Sequence, residues 1–557
     1  MLPDLELHLQ KSIEKALREL YPSLEKLPPI NLEVPSDKQH GEFSCNIAMR
    51  LSALLKQNPI SIASTIEKNL SASAKTGLLK EKINKIEVKA PGFINFFLMP
   101  SALCNVLYEV FSKGENFGRL DEGRGEKVQI EFVSANPTGP LSVAHARQAA
   151  VGDVLANILK FSGYDVKKEF YVNDEGNQIN ILGRSIELRS REILGEKIEF
   201  PEDGYQGDYI RDMAQIFMKE HQVKTTDDLG KIDAVVFAQF GASYLLAVIK
   251  EELKDFGVNF DTWSHQSKVA AAKNVETTLE SLKTDGFVYE KDGAWWFQST
   301  RFGDDKDRVV KKSDGSFTYL APDIVYHQNK FDRGFNRAIN IWGPDHHGYI
   351  PRIKAAVQAL GIDPKNLEVL IVQLATISRG GKPLSMSTRR GQYISLREVL
   401  NEVGNDAARY FFLMRHIEAH LDFDLELAKK ETAENPVYYI QYAHARIYSI
   451  LDVAQQSKLK SKHDNLDLLK EGSEMDLIKK IGFFPDVILL CSRQRDPFAL
   501  ASYLLELAGC FHKFYDQCRV ISDDKELSSQ RLALIDASKI VFANGLKLLG
   551  VSTPQKM

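Results

Sequence analysis

The segment from Val128 to Phe161 constrains the fold more than any other part of the chain. A β-rich run, Val128 to Ser134, enters a loop with Pro and Gly, and a helix of small residues begins near His145. This order places free backbone N–H groups and an imidazole at the carboxyl end of a parallel strand. Open α/β sheets bind nucleotide phosphates at this position, so the segment predicts a phosphate site.

A second loop, residues 380–391, strengthens this prediction. It reads Gly-Gly-Lys-Pro-Leu-Ser-Met-Ser-Thr-Arg-Arg-Gly. Glycines with clustered cations and hydroxyl donors suit a loop that closes over a triphosphate and stabilises charge on the leaving pyrophosphate. By itself such a loop could equally be a solvated basic surface. The phosphate site upstream favours the nucleotide interpretation, for which the candidate groups are Lys382, Ser385, Ser387, Thr388, Arg389 and Arg390.

The order of the predicted elements divides the chain into three units. Residues 1–112 mix helices with strands and are followed by a charged, Gly-rich linker. Residues 127–405 alternate strands and helices as a parallel sheet does, with an insertion at about 175–315. Residues 406–557 have helical periodicity and few Gly or Pro residues. The predicted fold class is therefore α/β, with a Rossmann-type parallel-sheet catalytic domain that carries an insertion, an N-terminal α+β domain and a C-terminal all-α helical bundle.

Within these units, hydrophobic periodicity predicts individual elements. Residues 42–56 and 226–256 are each expected to form a helix, and residues 287–298 a hairpin. Residues 367–375 are expected to form the strand that precedes the second loop.

Composition excludes several classes of protein. The chain has 557 residues, 44% apolar and 26% charged, with a net charge of −4, as in an ordinary globular protein. A nucleic-acid partner needs only a local basic face. The chain shows no run of about 18 apolar residues and no signal sequence, so a cytoplasmic location without a membrane partner is expected. Five scattered cysteines without a Cys-x-x-Cys pair predict reduced thiols and no zinc or other bound metal.

Longer strings resemble one enzyme family. Ser142-Val-Ala-His145 and Ser385-Met-Ser-Thr-Arg389 correspond to the signature motifs of class I aminoacyl-tRNA synthetases, His-Ile-Gly-His and Lys-Met-Ser-Lys-Ser. Further strings narrow the resemblance to the arginyl-tRNA synthetase family. They begin at Glu131 (Glu-Phe-Val-Ser-Ala-Asn-Pro-Thr-Gly-Pro), Tyr171 (Tyr-Val-Asn-Asp-Glu-Gly-Asn-Gln), Trp342 (Trp-Gly-Pro-Asp-His-His-Gly), Leu421 (Leu-Asp-Phe-Asp-Leu) and Glu434 (Glu-Asn-Pro-Val-Tyr-Tyr-Ile-Gln-Tyr-Ala-His-Ala-Arg).

The resemblance implies an arginine–tRNA ligase that uses ATP, L-arginine and tRNA(Arg). The arginine carboxylate would attack the α-phosphate of ATP and release pyrophosphate, and the terminal ribose of the tRNA would then accept the arginyl group. Such a protein mainly orients its substrates and stabilises charge. Mg²⁺ is expected on the ATP phosphates, carried by the nucleotide. A monomer is expected because no long exposed apolar stripe is evident.

Three positions depart from the family motifs. Ser142 replaces the first histidine, Ala144 the glycine, and Ser385 the first lysine of the second motif. Ser142 keeps a hydrogen-bond donor but lacks imidazolium charge, and Ala144 adds a methyl group where the adenine ring would stack. His145 is interpreted as the retained phosphate contact. The candidates for the missing cation are Lys382, Arg389 and Arg390.

The amino-acid pocket must hold a guanidinium, which pairs best with planar carboxylates. By resemblance, Glu131 and Asn136 would face the α-ammonium end of arginine, and Tyr319 and Asp323 the guanidinium. Asp345 follows a strand end and could contact arginine or the ATP ribose. The implied residues are His145, Ser142, Lys382, Ser387 and Arg389 for catalysis; Ser142, His145, Gly343, Asp345, Met386, Ser387 and Arg389 for ATP; and Glu131, Ser134, Asn136, His145, Tyr319, Asp323 and Asp345 for arginine.

Each of these assignments has a purely structural alternative. Glu131 could be a charge at a strand edge, and Asp323 could be a helix N-cap after Pro322. His346 and His347 could be a capping pair. A polar patch past a strand end could serve the substrate pocket or the path of the tRNA acceptor end, or be an ordinary loop; it consists of Asn173, Asp174, Asn177 and Gln178.

The third unit carries aromatic side chains at helical spacing. Single-stranded bases stack on aromatic and guanidinium planes, so this helix is the expected anticodon platform, although about half of its rings could be bundle core. Either the face with His444 or the face with Tyr438 and Tyr442 could meet RNA. In the first unit, Phe93 and Asn95 resemble the family's readers of a D-loop base, unless this is a plain aromatic strand. The implied tRNA contacts are Phe93, Asn95, Tyr438, Gln441, Tyr442, His444, Arg446 and Met557.

Three other functions compete with the ligase. A synthetase-like tRNA-binding protein with impaired catalysis is suggested by Ser142, Ala144 and Ser385, but the complete set of pocket residues argues against it. Another class I synthetase, such as the cysteine enzyme, would need zinc ligands that the scattered cysteines do not supply. A nucleotidyltransferase of the same superfamily would need neither the helical bundle nor the first unit.

Overall fold

The structure is a computed structural model that describes residues 2–35, 37–74, 79, 82–384 and 394–557. Helices and strands are numbered along these residues. In the first unit, four described strands form an antiparallel sheet in the order β1-β2-β4-β3, packed against helices. Its elements are α1 (Leu2–Leu20), β1 (Leu32–Glu33), β2 (Phe43–Cys45), α2 (Ile47–Leu55), α3 (Pro59–Ala74), β3 (Ile83–Lys89), β4 (Phe93–Leu98) and α4 (Pro100–Lys113).

The single helix predicted over residues 42–56 is wrong in its first turn. Phe43 pairs with Phe96 of β4, and Cys45 pairs with Ile94, before α2 begins. Both Phe43 and Cys45 are buried. Pairing with a distant strand therefore outweighs the local helical pattern.

The second unit is built on a parallel sheet with β5 in the middle. Five described strands lie in the order β12-β11-β5-β6-β7, and each neighbouring pair is parallel. The chain leaves β5 toward β6 on one side and returns to β11 on the other, so the order reverses at β5. The framework elements are β5 (Lys127–Glu131), α5 (Val143–Phe161), β6 (Asp165–Val172), β7 (Thr262–His265), α12 (Leu320–Asp332), β11 (Arg337–Trp342), α13 (Ile350–Ala359) and β12 (Leu367–Ile371).

Small residues let α5 lie directly on the sheet. Ala146, Ala149 and Ala150 are fully buried. A Cβ atom added to Gly152 would lie 2.3 Å from the ring of Phe132, so the glycine permits this close approach. The N-terminus of α5 is thereby held at the carboxyl end of β5.

The insertion forms a helical layer with its own core and a small sheet. The helix predicted over residues 226–256 is two helices, because Thr225 and Asp233 each cap a new N-terminus. The predicted hairpin is present, and β10 adds a third described strand to it. The elements are α6 (Asn177–Ile193), α7 (Asp208–Glu220), α8 (Thr226–Gly230), α9 (Ala234–Asp255), α10 (Gln266–Val269), α11 (Ala272–Thr284), β8 (Val288–Lys291), β9 (Ala294–Phe297) and β10 (Arg308–Lys311).

Helix α9 has the length and mean hydropathy of a membrane span, by composition alone. Phe237, Leu245 and Ile249 on this helix are nevertheless buried inside the protein. One face of α9 packs against α6, which is the ordinary arrangement of a core helix.

The strand predicted over residues 367–375 divides in two. β12 ends at Ile371, and β13 (Ala375–Arg379) joins a separate small sheet with β14 (Lys382–Pro383) and β15 (Leu421–Asp424). The third unit is helical except for β15, a strand that the all-α prediction for residues 406–557 did not include. The remaining elements are α14 (Leu396–Val403), α15 (Asn405–Leu413), α16 (Leu425–Ala428), α17 (Pro436–Gln456), α18 (Gly472–Gly482), α19 (Phe484–Gln494), α20 (Phe498–Gln517) and α21 (Lys525–Leu549).

The predicted linker after the first unit is packed against the helical bundle. The side-chain amide of Asn544 on α21 donates to the carbonyl oxygens of Gly114 and Phe117, both at 3.2 Å. Phe117 is buried. The segment therefore fixes the first unit to the third.

Candidate active site

A cleft of about 510 Å³ opens at the carboxyl ends of β5, β6 and β11. This is the point where the strand order reverses, at which open α/β sheets bind their ligands. Eight residues that the sequence analysis assigned to ATP or arginine binding line the cleft: Glu131, Ser134, Asn136, His145, Tyr319, Asp323, Gly343 and Asp345.

His145 is oriented by the residue at the start of its helix. The backbone N–H of Ser142 donates to Nδ1 of His145 at 3.2 Å, and the Ser142 hydroxyl lies 3.1 Å from the same atom. Nδ1 is therefore an acceptor, and Nε2 carries the proton of a neutral imidazole. Burial lowers the pKa of His145 to about 4. The side chain can donate one hydrogen bond to a ligand without changing its charge at neutral pH.

Asp323 is not the helix cap that the alternative interpretation suggested. It lies inside the first turn of α12, and its Oδ2 accepts a 2.6 Å hydrogen bond from the hydroxyl of Tyr349. Burial raises the pKa of the carboxyl group to about 7, although the Tyr349 bond lowers it. Tyr319 caps the same helix and is 70% exposed, so its ring is free to meet a ligand.

Glu131 is buried and bound on both oxygens. Its Oε1 accepts from the hydroxyl of Ser134 at 2.9 Å, and its Oε2 lies 2.5 Å from Nζ of Lys330. Asn136 lies farther out, where its side-chain amide donates to Gln178 at 2.6 Å. Glu131 is thus a fixed group of the cleft floor and not a charge at a strand edge.

The polar patch past β6 divides between the cleft and the scaffold. Asn173, Asn177 and Gln178 line the cleft. The carboxylate of Asp174 instead accepts from the backbone and hydroxyl of Ser267, at 3.0 and 2.8 Å, which ties β6 to α10. His346 and Asp345 are both exposed at the cleft rim, on a short 3₁₀ turn.

Sequence reasoning missed several residues that build the cleft. Arg147 is fully buried, and its guanidinium donates to the carbonyl oxygens of Gln373, Ala419 and His416 at 2.8, 2.9 and 3.0 Å. It thereby holds the chain after β12 against the cleft. The sequence signal that could have revealed Arg147 is its charge within a run of small residues that are expected to be buried. Residues of the cleft wall that were missed include Gln148, Tyr326, His327, Tyr349 and Gln373.

The second loop is only partly within the described residues. Lys382 is exposed in β14 and does not line the cleft. The backbone N–H groups of Gly380 and Gly381 donate to the carboxylate of Asp424, which anchors this hairpin. Beyond the loop, the chain returns to the motif helix, where Ser395 bridges to Ser142. Predicted residues that lie outside the described ones are Ser385, Met386, Ser387, Thr388, Arg389 and Arg390.

The predicted tRNA residues differ sharply in exposure. Asn95 is 1% exposed and accepts from the hydroxyl of Ser44 at 2.7 Å, whereas Phe93 is half-buried. Gln441 and His444 on α17 are also buried. They bind the C-terminal tail, through Ser552 for Gln441 and through the carbonyl oxygen of Pro554 for His444.

The accessible part of α17 is the other face. Tyr438 and Tyr442 are stacked and half-buried, and the guanidinium of Arg446 lies over the rings of Tyr442 and Tyr515 at 5.0 and 5.2 Å. Met557 at the end of the tail is 52% exposed. This face could stack unpaired bases.

No cluster of three His, Cys, Asp or Glu side chains that could hold a metal is found among the described residues. None of the five cysteines forms a disulfide bond. Four of them are buried, and burial raises the pKa of the Cys45 thiol to about 11. These thiols behave as core groups.

Comparison with known proteins identifies the family. Residues 107–437 match the catalytic domain of class I tRNA synthetases (R), residues 7–98 match the arginyl tRNA synthetase N-terminal domain, and residues 440–557 match the DALR anticodon-binding domain. The chain belongs to the arginyl-tRNA synthetase family. The resemblance seen in the motifs and the predicted fold class are both confirmed.

Individual members of the arginyl-tRNA synthetase family align with nearly the whole chain. The arginine–tRNA ligase of Desulfosudis oleivorans is 48% identical, over 96% of each chain. That of Bacillus subtilis is 44% identical, over 96% of this chain and 95% of its own. The arginyl-tRNA synthetase structure from Thermus thermophilus shares the fold with a TM-score of 0.74 over 99% of this chain, at 20% identity.

Proposed function

We propose that this chain is an arginine–tRNA ligase, which activates L-arginine with ATP and transfers it to the 3′ end of tRNA(Arg). The observation that carries the proposal is the cleft at the strand-order reversal, where a neutral His145 and the Asp323 carboxyl group face one space. A hydrogen-bond donor for a phosphate oxygen and a hydrogen-bond acceptor for a guanidinium thus lie within one site. The three matching domain families support it over the full chain.

In the first step, an oxygen of the arginine carboxylate attacks the α-phosphorus of ATP. The bond between the α-phosphorus and the bridging oxygen breaks, and pyrophosphate leaves. Mg²⁺ carried by the nucleotide would neutralise part of the charge on the phosphates. His145 would donate from Nε2 to a phosphate oxygen, with Ser142 as its holder. Gly343 and Asp345 would meet the ribose. The second loop would supply Lys382, Met386, Ser387 and Arg389.

The amino acid would lie across the cleft floor. Asp323 would accept from the guanidinium, and the exposed ring of Tyr319 would cover it. The α-ammonium end would face Glu131, Ser134 and Asn136. In the second step, the terminal ribose hydroxyl of the tRNA attacks the activated carbonyl carbon and AMP leaves. Orientation and charge stabilisation account for the protein's part in both steps.

We propose one role for each of the three units. Unit 1–112 would read the tRNA body through Phe93, with Asn95 holding the strand from inside. Unit 127–405 performs the chemistry, and unit 406–557 binds the anticodon. There Tyr438, Tyr442 and Arg446 would contact bases directly, and Met557 would contact them from the tail. Gln441 and His444 would act by holding that tail. A monomer in the cytoplasm is the proposed state.

The test is arginine-dependent exchange between ATP and labelled pyrophosphate, measured on the purified chain with and without tRNA(Arg). Exchange that requires arginine supports the proposal, and an added requirement for tRNA would define when the site becomes competent. We expect Asp323→Asn to reduce kcat/KM for arginine about 100-fold or more, because a buried charged partner is lost. Asp332→Asn, at the exposed end of the same helix, is the matched control.

The competing function is a tRNA-binding protein with impaired catalysis. Its motivation is the set of motif departures Ser142, Ala144 and Ser385. Tight tRNA(Arg) binding without arginine-dependent exchange under either condition would establish it. The hydrogen bonds between Ser142 and His145 argue against it. The serine at the replaced position still orients the imidazole that would donate a hydrogen bond to the phosphate.

A further inference from the structure

Lys330 lies directly behind the floor of the cleft. It follows Asp323 by two turns of α12, is 0% exposed and does not line the cleft. Its Nζ lies 2.5 Å from Oε2 of Glu131 and 2.7 Å from Oδ1 of Asn340. Glu131 and Asn340 are register partners on β5 and β11, so the ammonium joins two neighbouring strands. Burying a charge this completely is costly unless it is paired.

A chain of hydrogen bonds connects Lys330 back to Asp323. The side-chain amide of Asn340 lies 2.8 Å from Nε2 of His327, and Nδ1 of His327 donates to the carbonyl oxygen of Asp323 at 2.8 Å. Burial, with a further contribution from the Lys330 charge, holds the pKa of His327 far below its usual range. His327 is therefore neutral, and it carries no charge into the cleft.

The charges around Lys330 can be counted element by element. On β5, Glu131 pairs with Lys330 itself. On β6, Glu169 pairs with Arg333 at 2.7 Å and accepts from the hydroxyl of Tyr326, whose ring lies 4.4 Å from Nζ of Lys330. Within each of these two pairs the opposite charges cancel. Asp323 is then the acid of the cleft floor that has no cationic partner, whereas Glu175 and Asp345 also line the cleft but are exposed at its rim.

We propose that Lys330 is a positioning residue that holds Glu131 in place and limits the cleft floor to one net negative charge. One negative charge matches the single positive charge that a guanidinium substrate brings. The inference rests on the proposed arginine site. Lys330 itself would contact neither arginine nor ATP, because Glu131, Tyr326 and His327 lie between it and the cleft.

The acidity of Asp323 already responds to both charges. Its pKa is raised to about 7, mainly by burial; the charge of Glu131 contributes to this rise, and the Tyr349 hydrogen bond and the charge of Lys330 oppose it. Without Lys330, the floor would hold two acids that oppose each other's ionisation. Arginine binding would then favour loss of one additional proton, because its guanidinium and its α-ammonium group would lie next to Asp323 and Glu131 and favour the ionised form of both acids.

The test counts protons released when arginine binds. Calorimetry of the full-length protein is run from pH 6 to 9, in pairs of buffers that differ in their enthalpy of ionisation. For the wild type we expect a release close to one proton at pH 6, about half near pH 7 and almost none at pH 8.5. For Lys330→Met we expect at least half a proton still to be released at pH 8. Arginine affinity at pH 7 should fall about tenfold.

The double variant Glu131→Gln/Lys330→Met is the decisive control, because it removes both members of the pair and restores the charge count. Its proton release should return to the wild-type profile even if its affinity does not. Circular dichroism and melting curves establish that each variant is folded. Lys330→Gln, which keeps a donor without the charge, replaces Lys330→Met if the latter does not fold.

The outcomes separate the two proposals. A wild-type protein that binds arginine, with the same release profile in Lys330→Met, would overturn the role of Lys330 and leave the proposed function intact. Release of clearly more than one proton by the wild type would overturn it without any variant. A wild-type protein that does not bind arginine would overturn the proposed function first, and this inference with it.

Discussion

The backbone N–H of Ser142 donates a hydrogen bond to Nδ1 of His145 at 3.2 Å. The helix N-cap thus selects the tautomer of the imidazole that we propose as the phosphate contact. Any residue at position 142 except proline can supply this bond, because the donor is backbone. The replacement of the family's first histidine by serine therefore leaves the hydrogen bond that orients His145 in place.

The first prediction compares these two residues. His145→Ala should reduce arginine-dependent pyrophosphate exchange by about 100- to 1,000-fold, the usual cost of one preorganised donor to a developing charge. Ser142→Ala should reduce it less than tenfold, because the backbone donor stays. Steady-state exchange rates at saturating arginine and ATP measure both effects. Equal losses in the two variants would contradict this view of the pair.

The second prediction concerns acid stability. The folded pKa of His145 is about 4, below its ordinary value of 6.5, so the unfolded chain binds more protons between these pH values. Stability supported by the neutral imidazole is present above pH 6.5 and is lost as the pH falls toward 4. Between pH 7 and pH 5 the loss should be about 2 kcal/mol.

His145→Gln should remove this part of the acid sensitivity. Urea unfolding at pH 7 and pH 5 provides the comparison, with His347→Gln at an exposed position as the control. The control should lose as much stability as the wild type on acidification. A His145→Gln variant that is equally acid-sensitive would show that the imidazole is solvated in the folded protein.

The third prediction follows from the 2.6 Å hydrogen bond between Tyr349 and Asp323. This bond lowers the pKa of a carboxyl group that burial has raised to about 7. Tyr349→Phe should therefore raise the pKa further, and KM for arginine should reach its plateau at a higher pH than in the wild type. A shift of about half to one pH unit is expected.

Pyrophosphate exchange between pH 6 and 9 measures this shift. The ring of Tyr349 packs beside Trp342, and phenylalanine keeps that contact. Tyr289→Phe, on the small insertion sheet, is a control remote from the cleft floor. A change in KM that is the same at every pH would mean that Tyr349 acts through packing alone.

The fourth prediction concerns the joint between the catalytic sheet and the C-terminal helix. Arg409 is fully buried, pairs with Asp153 of α5 at 2.5 Å and donates to the carbonyl oxygen of Leu549 at 3.0 Å. Gly550, with φ +66°, ends α21 against this guanidinium. A Cβ atom there would lie 2.4 Å from Nη2 of Arg409.

Gly550→Ala should therefore destabilise the protein by about 2–4 kcal/mol, from backbone strain and displacement of a buried charge. Gly509→Ala is the matched control, because a Cβ atom at this position in α20 meets nothing within 4 Å. The control should be neutral or stabilising by up to about 1 kcal/mol. Urea denaturation midpoints of the two variants test this prediction. Similar midpoints for Gly550→Ala and Gly509→Ala would exclude a clash with Arg409.

Local patterns predicted much of the cleft. The strand, loop and helix from Val128 to Phe161 lie where the sequence analysis expected them. Small residues and glycine at helical spacing indicate a helix that packs closely against a sheet. Element boundaries failed where a distant strand intervened, as at Phe43, which pairs with Phe96. The exposure of Asn95 and Gln441 could not be predicted either, because each is buried by a segment remote in sequence.

By itself, the sequence determined the fold class, the family and several of the side chains that line the cleft, because these depend on short strings and on local periodicity. Only the tertiary structure decided which charges are compensated. Lys330 meets Glu131 across 199 residues of chain, and Arg409 meets Asp153 across 256. Such pairs depend on strand register and helix packing, which bring together groups that no local pattern connects, and burial then makes their charges count.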